Sequence, residues 1–325
     1  MIATAIGSMP GEDFAAAMRT VAQALPDFVH LPELPARGAH AGLVGRGVGL
    51  LASIGADLQP AGWRLTDAPG ADQRRARSLL AQDLDGLEEA LQGYAGRLKV
   101  QVPGPWTLAA TMERPRGDRV LADHGARRDL AQSLTEGVRD HIADVRRRVP
   151  AAPLTVQVDE PALPAVLAGA VPTASGWSRH RTVDTARADV PLRALAEAIT
   201  QAGATSAVHS CAVDVPVQLL AGAGFAALSF DVGLVTTAET EAYAEAYDAG
   251  VEIWPGLVPA ADPAPAPSDR ELAVRMGSLL SELGVDKDSG SERIVLTPAC
   301  GLAGASAAWA RQAMALAHQV ARLDC

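Results

Sequence analysis

The sequence predicts an α/β protein folded as a closed parallel (β/α)8 TIM barrel. Three observations carry this expectation. Eight short apolar, β-prone runs recur along the 325 residues. A longer stretch of helical character follows each run. The polar residues that do not suit those runs gather at their C-terminal ends, where barrels of this kind place their functional groups.

In chain order, IATAIGS (2–8) is followed by a helix over 11–25, opened by Pro10-Gly11-Glu12-Asp13. FVHLPEL (28–34) leads through a Gly- and Pro-rich loop (35–70) into a helix at 71–96. RLKVQVPG (97–104) precedes a helix within 118–148, and LTVQVDE (154–160) precedes one over 185–202, with loop 171–184 and its Trp177 between them. SAVHSC (206–211) and AALSFD (226–231) lead into helices at 213–223 and 237–249, the second closed by Gly250. VEIWPGL (251–257) is followed by PAADPAPAP (259–267), too proline-dense for helix or strand and a candidate lid, and then by a helix over 268–283. Ser268-Asp269-Arg270-Glu271 starts that helix and Gly284 ends it. RIVLTPAC (293–300) and a helix at 304–322 complete the set. No GxGxxG follows the first run, which weighs against an open doubly wound sheet. No linker divides the chain into two composition regimes, so residues 1–325 are expected to form a single barrel domain.

Composition narrows the function classes. Apolar residues make up 48% and charged residues 20%, which excludes a mainly disordered chain. The 28 Lys+Arg against 38 Asp+Glu give a net charge of −10, which argues against nucleic acid or an anionic membrane as partner. No apolar stretch is long enough to span a bilayer, and the first residues do not read as a signal peptide. Three cysteines in a chain of this length indicate the cytoplasm, with any special thiol catalytic or metal-bound.

His209 and Cys211 stand two residues apart on a strand and therefore share a face. Imidazole nitrogen and thiolate sulfur suit Zn2+, and Cys300 and Asp231 end neighbouring strands where they could complete the set. The plainer reading is a buried free cysteine beside a core histidine. Cys325, at the terminus, is expected to be a bystander. Asp159 could bind an ammonium group or move a proton, whereas Glu160 could equally cap the next helix. Ile6, Gly7 and Ser8 offer backbone N–H groups and a hydroxyl to a carboxylate, or form a plain turn. Glu33 could meet a ligand's amino group or a neighbouring arginine. Trp106 could stack on a planar ring, or simply pack.

Four motifs, IGSMP at 6–10, VDEPAL at 158–163, HSC at 209–211 and PACGL at 298–302, stand in the order seen in the catalytic barrel of cobalamin-independent methionine synthase. The sequence resembles that family over nearly its whole length. The resemblance implies zinc held by His209, Cys211 and Cys300, with Asp231 where the family usually has Glu. It also implies that homocysteine is bound by its amino-acid end at Ile6, Gly7, Ser8 and Asp159, with Glu33 near the ammonium group. Members of the family with a second, N-terminal barrel-like half are longer, and the sequence corresponds to their catalytic half. At the folate contacts of those members, Thr111 replaces a Trp and Ala165 replaces a Glu. Val258-Pro259-Ala260-Ala261-Asp262 has no counterpart to their proton-donating His. The implied activity is a zinc-dependent methyl transfer to homocysteine or a related thiol, giving methionine, with a corrinoid or methylfolate as donor. Two alternatives stay open: a non-catalytic zinc- and thiol-binding barrel, and a thiol transferase using another electrophile such as an epoxide. Uroporphyrinogen decarboxylase relatives share the fold but need no such His and Cys set, so metal content separates them.

Overall fold

The structure is a computed structural model that describes residues 1–285 and 291–323; Cys325 lies outside the described residues. Its wall is built from eight strands: β1 (Ile2–Ala3), β2 (Phe28–His30), β3 (Arg97–Pro103), β4 (Leu154–Asp159), β5 (Thr205–Ser210), β6 (Ala227–Asp231), β7 (Glu252–Val258) and β8 (Val295–Pro298). All neighbouring pairs are parallel, in the order β1-β8-β7-β6-β5-β4-β3-β2. The remaining seam, between β1 and β2, is drawn together by single contacts. Thr4 Oγ1 donates to the Phe28 carbonyl at 3.0 Å, Glu33 N–H to Gly7 O at 3.0 Å, and Met9 N–H to Glu33 O at 2.8 Å. The result is the expected TIM barrel.

The eight expected helices are present as α1 (Phe14–Ala24), α2 (Ala71–Ala90), α3 (His124–Arg148), α4 (Thr185–Gln201), α5 (Val217–Gly222), α6 (Thr237–Asp248), α7 (Asp269–Glu282) and α8 (Ala307–Ala321). Their starts follow local chemistry. Asp13, Asp123, Asp184 and Ser306 accept from the backbone of the first turn, and Thr236 and Ser268 form reciprocal capping boxes with Glu239 and Glu271.

The first two strands are shorter than the runs that predict them. Pro32 has no N–H to donate to a ladder, and Gly7, at φ 147°, leaves the ordinary extended conformation. Loop 35–70 is also more ordered than its composition suggests. It holds a helix, Leu43–Leu50, and an antiparallel hairpin, Gly55–Gln59 with Gly62–Thr66. Short helices also follow β3 (Pro105–Thr111) and β4 (Leu163–Leu167). Segment 259–267 is tied down at two points. Asp262 accepts from the Ser306 N–H and hydroxyl, and Trp309 Nε1 donates to Pro259 O.

Two apolar clusters result. The larger lies between sheet and helices and includes Leu98, Val100, Val102, Val156 and Val158. The smaller, Phe28, Ala207, Ala227, Trp254 and Val295 with Ile2 against it, is made only of strand residues and fills the N-terminal end of the lumen. Below it the Arg97–Glu252 pair closes the barrel, with the guanidinium over the Phe28 ring at 4.2 Å. One step up each strand, the period of two brings Thr4, His30, Lys99, Gln101, Thr155, Gln157, His209, Ser229 and Thr297 inward, all buried. The middle of this barrel is therefore polar. No described helix is long and apolar enough to cross a membrane.

Two groups outside the lumen give stability predictions. Glu160 is fully buried and serves the Pro105–Thr111 helix, accepting from Trp106 N–H at 2.9 Å, Thr107 N–H at 2.8 Å and the Thr107 hydroxyl at 2.7 Å. It is a cap, but of the helix after β3 and not of the following helix that the sequence suggested. Glu160→Ala should cost about 3 kcal/mol of unfolding free energy in denaturant titrations, because buried donors lose their acceptor, and should leave bound metal unchanged. His141 on α3 is buried, and desolvation, aided by the Arg46 charge, pushes it down to about 4. The fold keeps this ring neutral while the unfolded chain takes up a proton below the ordinary value, so stability falls as pH drops from 6.5 towards 4. His141→Leu should therefore recover up to about 3 kcal/mol at pH 4 relative to its effect at pH 8; an equal acid loss in both proteins would contradict the assignment.

Candidate active site

The reactive groups stand at the C-terminal mouth, directly above the polar layer. His209 is near the end of β5 and Cys211 lies just past it. Cys300 follows β8 by two residues. The His209 nitrogen and the two sulfurs lie within 4.8 Å of one another. His209 Nδ1 is 2.9 Å from Ser229 Oγ on the adjacent strand, and Nε2 is buried with no hydrogen-bond partner. In the tautomer that donates from Nδ1 to Ser229, the Nε2 lone pair is free to bind a metal, an arrangement often found around ligating histidines. Interaction with Cys211 and the His209 ring draws the Cys300 thiol down to about 4, while pairing with Cys300 drives Cys211 up. One imidazole and two thiol groups, with the imidazole nitrogen orphaned and buried, fit a tetrahedral zinc ion with one position left over.

Asp231 does not join this group. It ends β6 as expected, but its Oδ1 accepts from the Gly233 N–H at 2.8 Å and caps its own short turn. The chain here turns straight into a single 3-10 turn, and the short Asp side chain satisfies that turn instead of reaching across the mouth. Among the described residues the structure brings three donors together, where sequence reading expected four.

The second half of the site lies beside the first, because Asp159 is the register partner of His209. Burial pushes Asp159 up to about 7; Glu33 adds to this while His209, Gln157 and Lys99 pull the other way. Glu33 is buried and takes Arg46 Nε at 3.0 Å, and Arg46 continues to Asp83, itself held by a bidentate Arg37. Of the two readings of Glu33, the structure shows the arginine; its charge also acts on Asp159 and Lys99. Ser8 faces Glu33 across the β1–β2 seam, and Leu302 N–H donates to Ser8 O at 2.8 Å. A Cβ on Gly301 would lie 2.0 Å from Ser8 Oγ, so a larger residue after Cys300 would force the Ser8 hydroxyl to rotate away. Trp106 is packing: it is buried and its Nε1 donates to Ala188 O.

Sequence reading missed the residues beneath this site. Lys99 is wholly buried and donates to Ile6 O at 2.8 Å. Gln157 Nε2 donates to the same carbonyl at 2.9 Å and to Asp159 Oδ1 at 2.7 Å. The Gln101 amide, oriented to satisfy its neighbours, donates to Leu31 O at 3.0 Å and accepts from Lys99 Nζ at 2.7 Å. Their signal was present in RLKVQVPG and LTVQVDE, where long polar side chains alternate with valines in strands otherwise buried on both faces.

Comparison with known proteins adds a family to this geometry. Residues 91–323 match the catalytic domain of cobalamin-independent synthase. No curated protein is close enough in sequence to count as a relative. Among solved structures, a B12-independent methionine synthase from Shewanella sp. W3-18-1 in complex with selenomethionine superposes with a TM-score of 0.66 and 13% identity, over 98% of this chain and 96% of that one. A morphinone reductase mutant in complex with tetrahydroNAD matches more loosely, with a TM-score of 0.43, 12% identity and coverage of 91% and 81%. The carboxyl transferase domain of Rhizobium etli pyruvate carboxylase gives 0.39, 13%, 98% and 48%. The structural likeness establishes the barrel; the sequence match, which runs over most of the chain and includes the HSC and PACGL segments, shows that this chain belongs to the cobalamin-independent synthase catalytic-domain family of methyltransferases.

Proposed function

We propose that the protein is a zinc-dependent methyltransferase that methylates the thiol of homocysteine to give methionine, with a corrinoid-bound methyl group as donor, and that residues 1–325 act as one catalytic barrel in the cytoplasm. The observation that carries this reading is the convergence of His209, Cys211 and Cys300 on one point beside Asp159. A zinc ion held by those three would lower the pKa of a substrate thiol and make its thiolate available at neutral pH.

The chain's own residues supply the rest. Asp159 and Glu33 present two carboxyl groups to the substrate ammonium, and the Ile6-Gly7-Ser8 edge presents backbone N–H groups and a hydroxyl to its carboxylate. Ser229 holds the His209 ring, and burial of Asp159 and Glu33 strengthens their interaction with an ammonium group. In the transfer, the sulfur forms a bond to the methyl carbon, the bond from that carbon to the donor breaks, and the thiol proton leaves to solvent. The Shewanella protein's complex with selenomethionine, an analogue of the product, supports an amino-acid pocket in a barrel of this shape. Against a folate donor stand Thr111, whose hydroxyl turns back to the Thr107 and Leu108 carbonyls, and Ala165, which has no group to offer. Asp262 is engaged in capping α8 and is not placed as a proton donor.

Elemental analysis should find one zinc per chain. Cys211→Ser should weaken zinc binding by about 100-fold or more, since a coordinating thiolate is lost, while Asp231→Ala should keep the same stoichiometry. Zinc-free protein after purification in zinc-replete medium, or full zinc retention in Cys211→Ser, would remove the metal assignment. In a donor panel, methionine should form from homocysteine with methylcobalamin and not with polyglutamylated methylfolate; the reverse result would overturn the donor assignment alone.

A further inference from the structure

Lys99 carries its amino group into the middle of the barrel, where burial pulls it down to about 7 against the charges of Asp159 and Glu33, which pull it up. A buried charge of this kind is costly unless hydrogen-bonded and paired. Its partners are specific. Nζ lies 2.8 Å from the Ile6 carbonyl and 2.7 Å from the Gln101 amide oxygen, with Asp159 and Glu33 as the nearby negative charges. Ile6 O is also the acceptor for Gln157 Nε2, and the same amide nitrogen holds Asp159 Oδ1. One carbonyl on β1 is thus gripped by side chains from β3 and β4, and one of them also holds the carboxylate proposed to meet the substrate ammonium.

Beyond Ile6 the backbone is held by single bonds: Glu33 N–H donates to Gly7 O at 3.0 Å and Leu302 N–H to Ser8 O at 2.8 Å. The regular part of β1 ends at Ala3, so the segment through Ile6 lacks a continuous ladder on the β2 side. Gly7 is at φ 147°, and a Cβ there would stand 2.7 Å from the Gln101 side chain. At Ile6 itself the carbonyl is held by lumen side chains, Lys99 and Gln157, which therefore help to set the height of the Ile6-Gly7-Ser8 edge.

We propose that Lys99 is a positioning residue for the amino-acid end of the substrate: with Gln157 it holds the Ile6 carbonyl, and so fixes the distance between the edge that receives the substrate carboxylate and the Asp159 group that receives its ammonium. This rests on the homocysteine reading above. Lys99 binds no part of the substrate; it acts through Ile6 and, by way of Gln157, through Asp159. A general packing role would disturb every ligand of the site alike, whereas a positioning role touches only ligands that carry both charged ends.

The test compares two thiols by calorimetric titration of the zinc-loaded protein: L-homocysteine, and propane-1-thiol, which has the sulfur but no amino-acid end. Lys99→Met keeps the length of the side chain and removes the charge. It should weaken homocysteine binding by about ten- to a hundredfold, the loss expected for a charge-assisted hydrogen bond and its consequences, leave propane-1-thiol within about twofold, and retain one zinc per chain. In turnover the same variant should raise KM for homocysteine with little change in kcat at saturation. Gln157→Leu, which removes the second grip on Ile6 O without burying a new charge, should show the same selectivity even where Lys99→Met does not fold. Homocysteine affinity unchanged in both folded variants, or both thiols weakened equally, would overturn the positioning role while leaving the methyltransferase reading intact. Wild-type protein that binds propane-1-thiol but not homocysteine would overturn both.

Discussion

The constraint on which the rest of this structure depends is the polar middle of its barrel. A parallel barrel of this size is packed with side chains and has no room for water columns. Here the layer above the Phe28–Trp254 cluster consists of amides, hydroxyls, imidazoles and the amino group of one lysine. The partners available within the lumen are strand-end carbonyls and the carboxylates of the mouth, and not every group finds one: both ring nitrogens of His30 and the Thr297 hydroxyl have none. Lys99, Gln101 and Gln157 find theirs at Ile6, Leu31 and Asp159. The polar layer thereby ties β1 and β2, the two strands not joined by a ladder, to β3 and β4.

This arrangement separates two tasks by height. The lower lumen is apolar and gives rigidity; the upper rim is reactive. Between them the polar layer transmits position, since a hydrogen-bonded amide or ammonium fixes a carbonyl more tightly than a methyl group could. His209 shows the same principle at the rim. Its ring is set by Ser229 on the neighbouring strand, which leaves the opposite nitrogen free. In both places an inward-facing residue one register step away decides how a functional group points.

Legibility differed between the two halves of the site. His209, Cys211 and Cys300 could be found from the sequence because strand periodicity places the first two on one face and a strand end places the third. Asp231 met the same criterion and yet points elsewhere, because the turn after β6 offered a nearer N–H than any partner across the mouth. Glu33 and Glu160 were ambiguous for a related reason. A carboxylate is claimed by whichever donor lies closest after folding: Arg46 for one, the start of the Pro105–Thr111 helix for the other. Arg46 itself came from a glycine-rich segment that composition alone marks as loop, and which packing turns into a helix.

By itself the sequence determined the barrel, the order of its strands and the residues that end them, because alternation, helix caps and strand-terminal polar groups are local properties of the chain. The tertiary structure alone decided which of those groups meet. It closed the β1–β2 seam through a few single bonds, brought three metal-type donors together and left the fourth candidate outside, and placed Lys99 beneath the amino-acid edge. The physical reason is that a hydrogen bond or ion pair is chosen by distance in space, and distances across a barrel are set by register and closure, which no short window of sequence contains.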